Sequence, residues 1–183
     1  MTALYWLRVS SEHGLSDGRL RRAAADYAGI SESDPRLLVS RGKNGKPCFP
    51  GEPLIQASVT HSGGIWLCAL SSAPVGVDLQ LCADAPSMKI AHRFFHPDEQ
   101  AWLDLNPGGF FDVWCAKESY IKYTGDGMAA GLDGFSAVDG DGIAARINGA
   151  GVRKVDFLPG FLLYVCGGAE EIILKEMPGG DII

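Results

Sequence analysis

Residues 113–122, with the sequence VWCAKESYIK, form the centre of the longest helix that this chain predicts. The helix is expected from Phe110 to Tyr123, because the segment has few helix breakers, follows a Pro-Gly-Gly sequence and is followed by Gly125. Helical periodicity defines an apolar face within a sector of roughly 120°, composed of Phe111, Trp114, Cys115, Glu118, Ile121 and Lys122. The side chains predicted to point the other way are Asp112, Ala116, Ser119, Tyr120 and Tyr123. The helix therefore places a carboxylate and an ammonium on its apolar face.

Glu118 has two interpretations at this point. A buried charge costs several kcal/mol unless it is paired, so Glu118 needs a cation nearby. Lys122 lies four residues later in the favoured orientation for a helical ion pair, which is worth only a few tenths of a kcal/mol when it is exposed. The flanking Trp114 and Ile121 argue against exposure. From the helix alone, an ordinary ion pair and a functional site remain equally open.

Composition limits the class of protein. With 183 residues, 46% of them apolar and 21% charged, the chain is long enough for one core or for two small halves packed together. It has no apolar run long enough for a membrane span, and residues 1–9 do not resemble a signal peptide. Its five cysteines lack metal-site spacing, which indicates reduced thiols in a cytoplasmic protein. A net charge of −6 argues against a general nucleic-acid binder.

The first part of the chain alternates strands with one helix. A helix from Ser16 or Asp17 to Ala28 carries Arg21 on its flank. The other predicted elements are strands at 4–9, 36–40, 57–60 and 65–70, the last two joined by a hairpin turn at 61–64. Two features of this part have both a bland and a functional interpretation. The glycine-rich loop 42–47, with Lys43 and Lys46, suits either an anion or solubility, and His61 is either a turn residue or a ligand.

Asp78 interrupts an apolar strand at 75–80. Aspartate is depleted in strands, so this side chain needs a partner, and Gln80 faces the same side two residues later. Two oxygen donors on a strand, together with Glu118 from the helix, are enough to begin a Mg²⁺ site, because magnesium takes one or two carboxylates and completes its shell with water and phosphate. The alternative is that Asp78 caps a neighbouring element.

The second part of the chain is predicted to contain helices and then a meander. One helix spans 87–95, and Pro97 opens another in which Glu99 is a first-turn carboxylate favoured by the helix dipole. After the loop Gly125-Asp126-Gly127-Met128, short apolar runs separated by glycine-containing turns predict an antiparallel meander. These runs are 135–138, 143–147, 152–158, 161–166 and 171–174.

Three motifs in this order resemble the 4′-phosphopantetheinyl transferases of the surfactin-synthetase-activating type. The first comprises Gly45-Lys46-Pro47 and Val59-Thr60-His61-Ser62, and the second is Val75-Gly76-Val77-Asp78. The third and most specific runs from Trp114 to Lys122 and matches W-x-x-K-E-[AS]-x-x-K. The segment Arg93-Phe94-Phe95 with Glu99 matches the region between the last two motifs. The resemblance covers about residues 20–138.

The resemblance implies transfer of the phosphopantetheine arm of coenzyme A to a serine of an apo acyl or peptidyl carrier protein, with release of adenosine 3′,5′-bisphosphate. It assigns Mg²⁺ binding to Asp78, Glu118 and Gln80, and stabilisation of the leaving group to Lys122. Arg21, Lys46 and His61 are expected to bind the adenosine end of coenzyme A, chiefly its 3′-phosphate. Deprotonation of the serine is left open between Glu118, Glu99 and a water on the metal.

The same resemblance implies an α+β fold of two similar halves, 1–75 and 76–183, related by a pseudo-twofold axis. Each half is expected to have an antiparallel sheet and a long helix, with coenzyme A in the cleft between the halves. Because one chain contains both halves, a monomer is expected.

The sequence departs from the family in two places. Gln80 stands where many members have a glutamate, and relatives carry additional basic residues before the first helix. These departures motivate an alternative function, a coenzyme A-binding or regulatory protein with weakened turnover. A third possibility is a structural α+β protein in which Glu118 and Lys122 form only an ion pair.

Overall fold

Two β-sheets and four α-helices make up the described part of the chain, which is a mixed α+β architecture. The computed structural model describes residues 1–10, 16–42, 44–82, 88–127, 131–140 and 142–178. The strands are β1 Thr2–Arg8, β2 Ser40–Arg41, β3 Pro47–Cys48, β4 Gln56–Ser62, β5 Ile65–Ser71, β6 Val75–Leu81, β7 Arg146–Ile147, β8 Ala150–Lys154, β9 Phe161–Gly167 and β10 Ile172–Glu176. The helices are α1 Ser16–Ala28, α2 Met88–Phe94, α3 Pro97–Leu105 and α4 Phe110–Thr124. Among the described residues, no helix is long and apolar enough to cross a membrane.

The first sheet has six strands in the order β10-β1-β5-β4-β3-β2. The predicted hairpin is confirmed as β4 and β5, which pair from Gln56 with Ser71 to Ser62 with Ile65. The last strand, β10, lies parallel to β1. The expectation of a purely antiparallel sheet and of a meander that includes residues 171–174 is therefore wrong. The turn pattern in the sequence identifies the strand, but its partner is distant in the chain.

The second sheet has four strands in the order β6-β9-β8-β7 and is antiparallel. The strand predicted at 135–138 is reduced to a single bridge between Val138 and Ile143.

The strand predicted at 36–40 is also wrong. A 3₁₀ turn occupies Pro35–Leu37, because Asp34 caps it by accepting a hydrogen bond from the amide of Arg36. The proline at its first position favours this helical turn over a strand.

The central helix is confirmed as α4, which ends at Gly125 in the left-handed conformation with φ of 75°. Its predicted faces are only partly right. The buried residues of α4 are Phe110, Val113, Cys115, Ala116, Lys117, Ser119 and Ile121. Ala116 and Ser119, predicted to point outward, are buried because the helix packs on two sides, against β6 and β9 and also against an aromatic cluster that includes Phe95 and Phe135.

A glycine sets how closely α4 approaches the second sheet. A Cβ atom at Gly76 would lie 2.0 Å from the carbonyl oxygen of Ser119 and 2.3 Å from the amide nitrogen of Tyr123. Only glycine permits this approach without a backbone shift. The short distance brings the Asp78 end of β6 close to the Glu118–Lys122 turn of α4.

All five cysteines are free thiols, as the sequence predicted.

Candidate functional site

A cleft of about 430 Å³ lies where the first sheet meets the C-terminal half of α4. Its described lining residues are Ser16, Arg41, Asn44, Gly45, Lys46, Pro47, Ser58, Val59, His61, Ile121, Lys122, Gly125 and Gly127. Three of the residues predicted to bind coenzyme A, namely Lys46, His61 and Lys122, are therefore in one cleft. They come from the loop before β3, from β4 and from α4.

The cleft is basic although the whole chain carries a net charge of −6. Arg41, Lys46, His61 and Lys122 line it, and its described lining includes no aspartate or glutamate. Ser16, at the amino end of α1, also belongs to the lining, and a helix amino terminus favours anions. The arrangement suits a negatively charged ligand.

Hydroxyl side chains join the two sheets beneath this cleft. The amides of Val77, Leu79 and Leu81 donate to the side-chain oxygens of Ser58 (3.1 Å), Thr60 (3.2 Å) and Ser62 (2.9 Å), respectively. Because β6 is an edge strand, these amides would otherwise lack partners. Alternate residues of β4 thus fix the position of β6, and with it Asp78.

Asp78 is 8% exposed and lies at the junction of three elements. Its Oδ1 atom accepts hydrogen bonds from the Thr60 hydroxyl at 3.1 Å and from the Lys122 ammonium at 2.6 Å. Burial raises the pKa of the Cys115 thiol in α4, and the nearby Asp78 carboxylate raises it further. The ion pair of Lys122 is therefore with the strand acid Asp78 and not with Glu118.

Glu118 lies beside this pair and is partly buried. In the described part of the chain its carboxylate makes no hydrogen bond. Burial raises the pKa of Glu118, the neighbouring Asp78 carboxylate raises it further, and the Lys122 ammonium lowers it. Desolvation and like charge both disfavour the ionised form, so a cation bound at this position would relieve both penalties.

Gln80 is partly exposed, and its side-chain amide donates to the carbonyl of Leu81 at 2.9 Å. Within the described residues, no three side chains of the His, Cys, Asp or Glu type converge as a metal cluster. The acidic part of the site therefore consists of two carboxylates, Asp78 and Glu118, with Lys122 next to them.

Glu99 and Lys117 form a second ion pair, away from the cleft. Both side chains are fully buried, and the Lys117 ammonium lies 2.7 Å from the Glu99 carboxylate. Glu99 also accepts from the amides of Ala137 (2.6 Å) and His96 (3.0 Å). Burial lowers the pKa of Lys117, and Glu99 opposes that effect. Glu99 is thus enclosed, fully bonded and outside the described lining of the cleft, which gives no support to the expectation that it is a base for an incoming hydroxyl.

Arg21 is not among the described residues of the cleft lining. Its charge is near Asp34, and Arg21 lowers the pKa of that carboxyl together with Arg36, which has the larger effect. Lys46 lines the cleft, but its ammonium donates to the carbonyls of Val75 and Tyr123. Two other residues of the predicted motifs, Lys43 and Met128, lie outside the described residues.

Three residues of this region had no role in the sequence prediction. Lys117 lies inside the W-x-x-K-E motif, but simple periodicity gives no sign that it is the buried cation. Thr60 could have been found from the alternation of Ser58, Thr60 and Ser62, which places three hydroxyls on one strand face. Arg41 belongs to a basic cluster in the sequence, and only the fold brings it to the cleft.

The family model of the 4′-phosphopantetheinyl transferase superfamily matches residues 74–159. This range contains β6 with Asp78 and the whole of α4 with Glu118 and Lys122. The match therefore includes the acid pair and its lysine, whereas the basic residues Arg41, Lys46 and His61 lie before it.

Three curated relatives, all named 4′-phosphopantetheinyl transferase, are similar to this chain. The chain is 35% identical over 127 residues to 4′-phosphopantetheinyl transferase Sfp of Bacillus subtilis (strain 168), which covers 67% of this chain and 55% of that protein. It is 35% identical over 104 residues to 4′-phosphopantetheinyl transferase gsp of Aneurinibacillus migulanus, covering 54% of this chain and 43% of that protein. For 4′-phosphopantetheinyl transferase HetI of Nostoc sp. the identity is 32% over 120 residues, with 61% and 51% covered. The chain spans about half the length of these relatives.

Proposed function

Because the chain belongs to the 4′-phosphopantetheinyl transferase superfamily, we propose that it transfers the 4′-phosphopantetheine group of coenzyme A to a serine of an apo carrier protein. The observation that carries this proposal is the position of Lys122. It lines the basic cleft and at the same time lies 2.6 Å from Asp78, next to Glu118. An acid pair beside a basic, anion-binding cleft is what transfer from a pyrophosphate requires.

The acid pair fits a magnesium ion. Magnesium is usually held by one or two carboxylates and completes its octahedron with water and phosphate oxygens, so Asp78 and Glu118 are a sufficient protein contribution. Burial and the Asp78 carboxylate both raise the pKa of Glu118, and a bound cation would offset these two effects, which supports this assignment. When bound, the ion would neutralise negative charge on the coenzyme A pyrophosphate. Gln80, as a neutral amide donating to Leu81, is expected to contribute less than a carboxylate at its position.

In the transfer, the serine oxygen attacks the phosphorus that carries the pantetheine arm. The bond from that phosphorus to the bridging oxygen breaks, and adenosine 3′,5′-bisphosphate leaves. We assign the serine proton to Glu118, because its carboxylate lies beside Asp78 and Lys122 and accepts no hydrogen bond in the described part of the chain. Lys122 neutralises the departing phosphate. Glu99 is not assigned as the base, since its oxygens are already bound by Lys117 and by two amides.

Coenzyme A is proposed to lie along the basic cleft. Its pyrophosphate would be near Lys122, and its adenosine 3′-phosphate near His61 and Arg41, which line the same cleft. Arg21, predicted for the same phosphate, is supported less well, because its described electrostatic neighbour is Asp34.

The test is labelling of a purified apo carrier protein with a fluorescent coenzyme A in the presence and absence of Mg²⁺. We expect metal-dependent labelling by the wild type, and loss of labelling in Glu118→Ala and Asp78→Ala. The carriers should include acyl and peptidyl types, since the site gives no preference. A folded wild-type protein that labels no carrier of either type would refute the proposal.

Gln80 supports a second candidate, a coenzyme A-binding protein with weakened turnover. Calorimetry of coenzyme A binding and carrier labelling, measured on the same protein, distinguish the two candidates. Tight coenzyme A binding without labelling would favour the second, and restored labelling in Gln80→Glu would establish why turnover is weak.

We further propose that the two sheets derive from one repeated unit, divided near residues 75 and 76. In support, β1 pairs with β5 of the β4–β5 hairpin, and β6 pairs with β9 of the β8–β9 pair in the same way. In both units, helices come between the first strand and the later strands. A single chain that contains both units supports a monomer, and its free thiols support a cytoplasmic location. Light scattering of the purified protein tests the monomer.

A further inference from the structure

The backbone of Lys46 lies directly before β3 of the first sheet, and its side chain reaches the carboxyl end of α4. It precedes β3, and its ammonium donates to the carbonyl oxygens of Tyr123 at 2.8 Å and Val75 at 3.1 Å. Tyr123 is in the last turn of α4, where carbonyls have no partner within the helix and a cation is favoured. One side chain thus connects β3, the beginning of β6 and the end of α4.

The loop that carries Lys46 makes a second contact with the same helix end. The Asn44 side-chain amide donates to the carbonyl of Gly125 at 2.8 Å. Within the loop, the amides of Gly42 and Gly45 donate to the carbonyls of Lys46 and Gly42. Those two amides are used internally, while the side chains of Asn44 and Lys46 cap the carboxyl end of α4.

From these contacts we propose that Lys46 is a positioning residue, which holds the last turn of α4 in place so that Lys122 meets Asp78. This inference rests on the proposed function and gives Lys46 a different role there from that of a ligand for the 3′-phosphate. Lys122 directly precedes Tyr123, so a shift of the Tyr123 carbonyl moves the lysine that pairs with Asp78. Two of the three N–H groups of the ammonium already donate to carbonyls, so only one is left for a phosphate.

The surroundings of Lys46 agree with this role. Its side chain is partly buried, and burial lowers its pKa. A Cβ atom at Gly125 would lie 3.3 Å from the Cδ atom of Lys46, so the methylene stem also packs against the helix end. The two carbonyls offset part of the cost of burying this ammonium.

The two roles differ when the 3′-phosphate is removed from the donor. Transfer should be measured with coenzyme A and with 3′-dephospho-coenzyme A, and the ratio of kcat/KM for the two donors compared among variants. In Lys46→Met we expect kcat/KM to fall roughly 10-fold to 100-fold with both donors, because a misplaced group is costly, and the ratio to stay unchanged. His61→Ala, the matched cleft variant, is expected to lower the ratio. A Lys46→Met ratio that falls as far as that of His61→Ala would overturn the inference.

A second readout does not depend on turnover. Hydrogen exchange of the Gly125 amide, which donates to the carbonyl of Ile121, should become at least tenfold faster in Lys46→Met and should not change in Lys175→Met, an exposed lysine elsewhere. Unchanged exchange in Lys46→Met would count against the inference, whether or not the wild type transfers the group. A wild type that transfers nothing would refute only the proposed function. Lys46→Gln, which keeps one donor group, serves if the methionine variant does not fold, with the same ratio and exchange criteria.

Discussion

Two lysines five residues apart on α4 each pair with an acid, and the two pairs differ in exposure and in surroundings. Lys117 and Glu99 are 0% exposed, and the lysine also donates to the carbonyl of Phe135 and lies 4.1 Å from the centre of its ring. Lys122 is 28% exposed and Asp78 8%, with a basic cleft on one side and Glu118 on the other. The enclosed pair can serve only the fold, whereas the open pair can exchange partners with a ligand.

The largest expected effect is on the enclosed pair. Lys117→Met leaves the Glu99 carboxylate buried without its cation, which costs about 3–5 kcal/mol. For a chain of this size, that loss lowers the Tm by roughly 6–20 °C. Thermal unfolding followed by circular dichroism measures it.

The control for that variant is the double substitution Lys117→Met with Glu99→Gln. Glutamine removes the uncompensated charge and keeps an acceptor for the Ala137 and His96 amides. We expect part of the lost Tm to return. If the single variant melts like the wild type, the contrast between the two pairs is wrong.

The open pair should respond in the opposite way. Lys122→Met is expected to lower the free energy of unfolding by less than Lys117→Met does, because Lys122 is 28% exposed and Asp78 keeps its hydrogen bond from the Thr60 hydroxyl. Carrier labelling should nevertheless fall by about 10²–10³-fold, the usual cost of removing one group that stabilises developing charge. Chemical denaturation and labelling on the same sample test both statements. Full labelling by a folded Lys122→Met would remove the functional half of the comparison.

A smaller effect is expected where the first sheet supports the open pair. Thr60→Val removes the hydroxyl that donates to Asp78 and accepts from the amide of Leu79. The unpaired amide costs about 1–3 kcal/mol in urea unfolding. Thr60→Ser keeps the hydroxyl and should remain close to the wild type. Equal stability of the valine and serine variants would show that packing, not the hydroxyl, matters at Thr60.

The smallest effect extends the comparison to a surface pair, Asp26 with Lys175, whose side chains are 59% and 45% exposed. Hydrogen bonds from Lys175 and Tyr5 lower the pKa of Asp26. A lowered carboxyl pKa contributes stability above the unfolded value of about 3.9, and this contribution is lost as the pH falls through the folded value. Asp26→Asn should therefore destabilise the protein by at most about 1 kcal/mol at pH 7. The difference from the wild type should shrink when urea unfolding is repeated below pH 4, and a difference that grows there would contradict the assignment.

Local patterns in the sequence were sufficient for much of the fold. The limits of α1 and α4, the β4–β5 hairpin and the strand that holds Asp78 were predicted, because capping residues, glycines and periodicity act within a few residues. The motifs around Asp78, Glu118 and Lys122 were also sufficient to predict the family. Asp78 in an apolar strand was rightly expected to have a partner, because an isolated buried charge is too costly.

Only the tertiary structure decided which partner each charged group has. Periodicity assigns one buried face to a helix, so it favoured Glu118 and passed over Lys117, which is buried because α4 has neighbours on two sides. The return of β10 to β1 and the reach of Lys46 to Tyr123 are likewise contacts between residues more than seventy positions apart. Such pairings depend on how sheets and helices pack. A short segment of the sequence does not specify which distant element will pack against it.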